Sequence, residues 1–239
     1  MAFDIPRGIV FPVSSVDVRL DPGPHPFEQQ NAAAIERNWQ HELQQNPALF
    51  NGTVVLLSAL AYVGGRLVGR CHAVTYATFL YWRRNTHDTP VEHSFAHAAL
   101  VSADGALVAV RMGGHTANAG RVYFAAGSFE PVDFRDGLVD LPFNMAREVG
   151  EETGIDISGL PREASYHAYS GERGTVIFCR YRLPDDAETV AARIRAHVAS
   201  DPDPEIEGPV IIRSASDLPD GLMPHMPPLI AWHFAHPPA

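Results

Sequence analysis

The sequence predicts an α/β fold in which a mixed sheet lies between helices, preceded by a small α+β subdomain. Short apolar runs alternate irregularly with stripes of helical period, and tight-turn pairs such as Gly64-Gly65 and Asp104-Gly105 join several of the runs. Hairpins mixed with crossovers indicate a mixed sheet rather than a doubly wound parallel one. A polar stretch, Arg83-Arg84-Asn85-Thr86-His87-Asp88-Thr89-Pro90, has linker character and divides the chain. Residues 1–90 then form a helix-plus-hairpin subdomain and residues 91–239 the larger domain.

In the first part, the segment up to Asp21-Pro22-Gly23-Pro24 is rich in turn formers. Pro26 opens a helix with Ala32, Ile35, Trp39 and Leu43 on one stripe, and Asn46-Pro47 stops it. Thr53-Val54-Val55-Leu56-Leu57 reads as a buried strand whose return partner is 66–75. Tyr76, Tyr81 and Trp82 suit either a core or a stacking platform for a base or sugar. In the second part, strands are expected at 95–101, 106–111 and 122–125, then a helix at 143–153 with Asn144 or the residues just before it near the cap and Gly154 at its end. Strands at 165–170 and 175–183 flank Gly171-Glu172-Arg173-Gly174. Leu183-Pro184-Asp185-Asp186 starts a helix bearing Val190, Ile194 and Val198, and 224–234 gives a last short one.

A chain of 239 residues with 46% hydrophobic content can build its core without staples. Cys71 and Cys179 lie in no metal-ligand spacing and read as core thiols, which fits a reducing cytoplasm. The opening Met1-Ala2-Phe3-Asp4-Ile5-Pro6-Arg7 lacks signal-peptide character, and no run is long enough to cross a bilayer, so no membrane partner is expected. A net charge of -10 argues against a broad grip on nucleic acid. Glycine-rich phosphate loops and the Gly-x-Ser-x-Gly elbow are absent, and His72, His87, His93, His97 and His115 form no zinc spacing.

The chemistry concentrates on the helix at 143–153. Positions three and four apart share a helical face, so Glu148, Glu151 and Glu152 converge while Met145 and Val149 turn inward. Each like-charge pair costs about 0.2–0.5 kcal/mol, a penalty that a bound divalent cation reverses. Oxygen ligands of this kind suit Mg2+ or Mn2+. Arg111, at a strand end aimed toward the same place, has the planar fork that binds phosphate bidentately.

The run Arg147-Glu148-Val149-Gly150-Glu151-Glu152-Thr153-Gly154-Ile155 resembles the signature helix of the Nudix hydrolase family. Upstream, Gly127-Ser128-Phe129-Glu130-Pro131 looks like the loop that opens the family motif, and Tyr123-Phe124 like the aromatic strand end before it. The resemblance covers roughly residues 91–183. It implies a Nudix-like α/β/α sandwich and a Mg2+- or Mn2+-dependent pyrophosphohydrolase cleaving a nucleoside diphosphate derivative, with nucleotide sugars and dinucleotides as candidates. By motif position, Glu148, Glu151 and Glu152 become metal ligands together with the carbonyl of Ala126. Glu148 or Glu151 doubles as the base, and Arg147 orients a glutamate. Arg111 and Glu130 fall on the substrate side, and Glu172, Glu205 or Glu207 is a candidate further carboxylate.

One departure stands out. Asp133 occupies the position of the motif glutamate, and thirteen residues rather than seven separate it from Arg147, a six-residue insertion. Asp133, Asp136 and Asp140 are the candidates to support Arg147, with Asp140 favoured as the nearest in sequence. The insertion also keeps open a different class of protein, a Nudix-like module that binds a nucleotide without cleaving it. Asn46-Pro47-Ala48-Leu49-Phe50-Asn51-Gly52 and Thr75-Tyr76-Ala77-Thr78-Phe79-Leu80 weakly resemble the leading domain of a Nudix branch acting on UDP-sugars. A homodimer is left open.

Overall fold

The computed structural model describes residues 3–47, 49–85, 89–172 and 174–238, so His87 of the polar stretch and Arg173 of the expected turn lie outside the described residues. The first part contains β1 (Phe3–Asp4), β2 (Val10–Val13), β3 (Ser15–Leu20), α1 (Pro26–Gln45), β4 (Thr53–Val63), β5 (Arg66–Thr75) and α2 (Tyr76–Arg84). There follow β6 (His93–Val101), β7 (Leu107–Met112), β8 (Val122–Tyr123), a 3-10 turn (Pro131–Asp133), β9 (Phe134–Arg135), β10 (Leu138–Val139) and α3 (Leu141–Thr153). The chain ends with β11 (Tyr166–Gly171), β12 (Gly174–Arg182), α4 (Ala187–Ser200), β13 (Ile206–Ile212) and α5 (Met226–Ala235).

Period-two alternation sets the two faces of the first sheet, ordered β1-β4-β5-β3-β10-β9, and the start of β4 is buried on both of them. Val54 and Leu56 of β4 pack with Phe27, Phe79, Trp82 and Val91, while Val55 and Leu57 turn into the main core. α1 begins where expected, with Pro26 in its first turn and the His25 ring accepting from the Phe27 N–H at 3.0 Å. Ile35 and Trp39 of its stripe are buried, but Ala32 faces out. The sequence reading missed α2, which Thr75 caps by accepting from the Thr78 N–H. Phe79 and Trp82 fill the core between this helix and β4.

The second sheet runs β13-β7-β6-β12-β11-β2, with β8 paired to β7. β6 and β12 are parallel and the other pairs antiparallel, giving the mixed sheet expected. Alternate residues of β12 define its two faces: Tyr181 meets Met145 of α3, whereas Phe178 and Arg180 meet Trp232 of α5. α4 packs on β7 and β13 beside α3. Helices therefore cover both faces, and the fold is an α/β/α sandwich.

The two sheets exchange strands across residue 90. β2, from the first part, pairs with β11, and β10, from the second, pairs with β3. β2 and β3 lie in the segment that the sequence reads as rich in turn formers, and β13 lies where it predicts no element. Among the described residues, no helix is long and apolar enough to cross a membrane.

Candidate active site

The inserted residues 134–139 fold into a hairpin of β9 and β10 around Asp136-Gly137, both at positive φ (51° and 77°). That is the backbone of a two-residue primed turn, for which Asp-Gly is a favoured pair. The Asp140 N–H donates to the Asp133 carbonyl at 2.7 Å, closing the hairpin at its base. The insertion is thus looped out toward β3, and Asp133 stays where a residue next to Arg147 is needed.

Asp133 is fully buried. Its Oδ2 accepts from the Glu130 N–H at 2.9 Å and Asn144 Nδ2 at 3.0 Å, and its carboxylate receives Nε and the terminal nitrogen of Arg147 at 3.1–3.2 Å. The preference for Asp140 is therefore corrected. Asp140 instead caps α3, accepting from the Phe143 N–H at 3.1 Å, and Asp136 sits in the hairpin turn. Asn144 lies within the helix and braces Asp133 rather than capping.

Arg147 also reaches Glu148 at 2.7 Å and Glu151 at 3.1 Å. Burial disfavours its charge, but Asp133, Glu148 and Glu151 more than compensate and hold it protonated. Gly127 lies against the helix: a Cβ there would stand 2.5 Å from Glu148 Oε1, so a side chain at this position would displace that carboxylate. At the far end of α3, Gly154 takes the left-handed conformation at φ 69° and ends the helix as expected.

Desolvation pushes Glu148 up to about 8, with Arg147 opposing. Glu152 is driven well above the usual carboxylate range by desolvation and by the charges of Glu148 and Glu205, while a backbone hydrogen bond at Ala126 opposes. Its Oε2 is buried with no hydrogen-bond partner among the described residues. Of the later carboxylates, Glu205, just before β13, acts electrostatically on both Glu130 and Glu152. Glu172 is exposed in the turn after β11, and Glu207 is exposed on β13.

Among the described residues, no three His, Cys, Asp or Glu side chains form a ready-made metal cage, because Glu148 and Glu151 lean on Arg147. The donor chemistry nonetheless fits a hard cation. A buried carboxylate oxygen without a partner, beside a second desolvated carboxylate, lacks the positive charge that such an ion carries.

The walls are less as expected. Arg111 donates to the carbonyls of Gly120 and Asp220 at 2.9 and 3.4 Å, so its guanidinium ties two loops together instead of standing free for phosphate. Glu130 stays beside Arg147 and Asp133, its carboxyl raised by burial and lowered by Arg147. Sequence reasoning missed Ser128, which meets His93 Nε2 at 3.0 Å, and Asn118, which donates to the Tyr123 hydroxyl at 3.2 Å. It also missed His225, whose Nε2 lies 2.9 Å from that of His97. The His93–Ser128 and His97–His225 contacts join distant segments, and no local pattern announces them. Cavities of about 270 and 280 Å³ lie elsewhere, one beside the inserted hairpin and one behind the end of α3.

No protein-family model matches the chain, and no curated protein matches it. Solved structures that resemble part of it include a MutT protein from Methanosarcina mazei, 23% identical over 38% of this chain and 62% of that one, with a TM-score of 0.27. A second is DR0079 from Deinococcus radiodurans, 14% identical over 50% of this chain and 66% of that one, at a TM-score of 0.32. A third is a NUDIX hydrolase from Nitrosomonas europaea, 15% identical over 51% of this chain and 72% of that one, also at 0.32. The chain spans less than two thirds of the length of the first two, and each likeness is confined to about half of this chain or less.

Proposed function

We propose that the chain is a divalent-metal-dependent pyrophosphohydrolase acting on a nucleoside diphosphate derivative, with nucleotide sugars and dinucleotides as candidate substrates and Mg2+ or Mn2+ as the cation. The observation that carries this reading is the buried Asp133–Arg147 lock. It is kept although a hairpin is looped out between the two residues, and Arg147 also pairs with Glu148, which lies against Gly127, and with Glu151.

In the proposed reaction, a water oxygen bonds to one phosphorus and the bond from that phosphorus to the bridging oxygen breaks, leaving two phosphate products. Glu148 or Glu151 takes the proton that the water loses. Arg147, fixed by Asp133, orients Glu148 rather than touching substrate. Glu148, Glu151 and Glu152, with the Ala126 carbonyl, would hold the cation, which when bound screens the phosphate charge and polarises the phosphorus–oxygen bonds.

A module that binds nucleotide without cleaving it is the second reading, and the looped-out insertion is its support. The three intact glutamates favour hydrolysis. The deciding assay is Mg2+-dependent phosphate release over a panel of nucleotide sugars, dinucleoside polyphosphates, NADH, FAD and CoA. Glu151→Gln and Glu152→Gln should abolish release while the melting temperature is kept, and near wild-type activity in both would sink the hydrolase reading. Tight nucleotide binding without turnover across the panel would favour the module.

A further inference from the structure

Arg83 lies in the last turn of α2, outside the Nudix-like segment. It is half-buried, its guanidinium 3.4 Å from Asn118 Oδ1 and 5.7 Å from the Phe79 ring centre. The next residue, Arg84, is exposed and pairs with Glu42 at 2.6 Å, whereas no carboxylate among the described residues pairs with Arg83. Among the described residues its fork is thus engaged by the Asn118 amide and no carboxylate, which leaves donors for an anionic ligand.

Two chains of contacts lead from Arg83 to the carboxylates of α3. Asn118, its partner, donates to the hydroxyl of Tyr123 at 3.2 Å, and the Tyr123 phenol feels Glu152 and Glu205 as well as Arg83. Arg83 also acts on the ring of His93, which meets Ser128 Oγ at 3.0 Å. Ser128 follows Gly127, the residue seated against Glu148. A cation on α2 therefore stands across the Tyr123 and Ser128 wall from the carboxyl groups of α3.

We propose that Arg83 is the anion receptor for the substrate's diphosphate, its planar fork taking non-bridging phosphate oxygens on the side facing α2, so that the amino-terminal part of the chain completes the site. This rests on the pyrophosphohydrolase reading for the identity of the ligand. Arginine suits the position because its fork matches phosphate geometry, which a lysine point charge does not. Asn118 holds the guanidinium in place before the ligand arrives.

The test uses methylenediphosphonate, whose P–C–P bridge cannot be hydrolysed, titrated calorimetrically into the full chain with Mg2+. Wild type should bind. Arg83→Gln, which keeps an amide N–H for Asn118 but loses the charge, should bind roughly tenfold more weakly or worse, and Arg83→Lys should fall between the two. Equal affinity in Arg83→Gln overturns the proposal, as does a wild type that does not bind. Should Arg83→Gln not fold, phenylglyoxal labelling of the wild type read by mass spectrometry decides instead: methylenediphosphonate should protect Arg83, and absence of protection overturns it. Failure of the hydrolase reading looks different, since turnover is then absent across the substrate panel while the binding difference between wild type and Arg83→Gln persists.

Discussion

Two groups of desolvated titratable side chains flank the Gly127 loop, and they are neutralised in opposite directions. On one side, burial raises Glu148 and Glu152. On the other, it lowers His93 to about 3 and His225 to about 4, and it lowers His97 as well. Each of these rings has one hydrogen-bond partner in its neutral state: His93 meets Ser128, and His97 and His225 meet each other. Between His97 and His225 one ring nitrogen donates and the other accepts at 2.9 Å, which leaves His97 Nδ1 as a lone unpartnered nitrogen. The carboxylates differ: Arg147 pairs with Glu148 and Glu151, while Glu152 Oε2 has no hydrogen-bond partner among the described residues. Neutral rings need no ion, whereas carboxylates short of a counter-charge are prepared for one.

The largest expected effect tests the unfinished side directly. Glu148→Gln should lower kcat by roughly 10²–10⁴ if this residue takes the proton. A loss confined to KM in steady-state assays would assign the base to Glu151.

Next comes the lock beneath the carboxylates. Removing the buried partner of Arg147 in Asp133→Ala should destabilise the fold by about 3–5 kcal/mol, whereas Asp140→Ala loses a helix cap worth about 1 kcal/mol. Urea titrations that ranked the two the other way round would return the supporting role to Asp140.

A third measurement uses the sign of the shifts. Carboxylates raised in the folded state contribute stability fully present below their unfolded value of 4.5 and lost as pH rises, through about 8 for Glu148. A cation held there restores what is lost, so Mg2+ should raise the melting temperature more at pH 8 than at pH 5.5. An equal shift at both would place the ion elsewhere.

The smallest effect belongs to the histidines. Lowered groups contribute stability present above 6.5 and lost as pH falls toward about 4 for His225. Between pH 7 and pH 5 in EDTA, wild type should lose more melting temperature than His225→Gln. Parallel curves would mean that this ring titrates alike in the folded and unfolded chain.

What could be read from the sequence follows the distinction between local and distant contacts. The helix that carries Glu148, Glu151 and Glu152 and its glycine stop depend only on signals within one segment, and both are where expected. Asp133 could not be chosen over Asp140 while the path between them was unknown, although Asp136-Gly137 is the same kind of turn signal that located the Asp104-Gly105 hairpin. α2 went unrecognised because its aromatic residues are weak helix formers, and packing against β4 overrides that propensity. Arg111 looked like a phosphate ligand because nothing local to it shows that the carbonyls of Gly120 and Asp220 meet it.

The strand exchange between the two sheets bears on how the chain is made. On a ribosome the amino-terminal segment emerges first, yet Val10–Val13 finds its hydrogen-bonding partner only when Tyr166–Gly171 has been synthesised. β3 likewise waits for the inserted hairpin before its second edge is covered. Such long-range pairing slows folding and leaves strand edges open meanwhile. β2 thus completes its pairing only once most of the chain has been made, and one edge of β3 stays open until the hairpin before the carboxylate helix covers it.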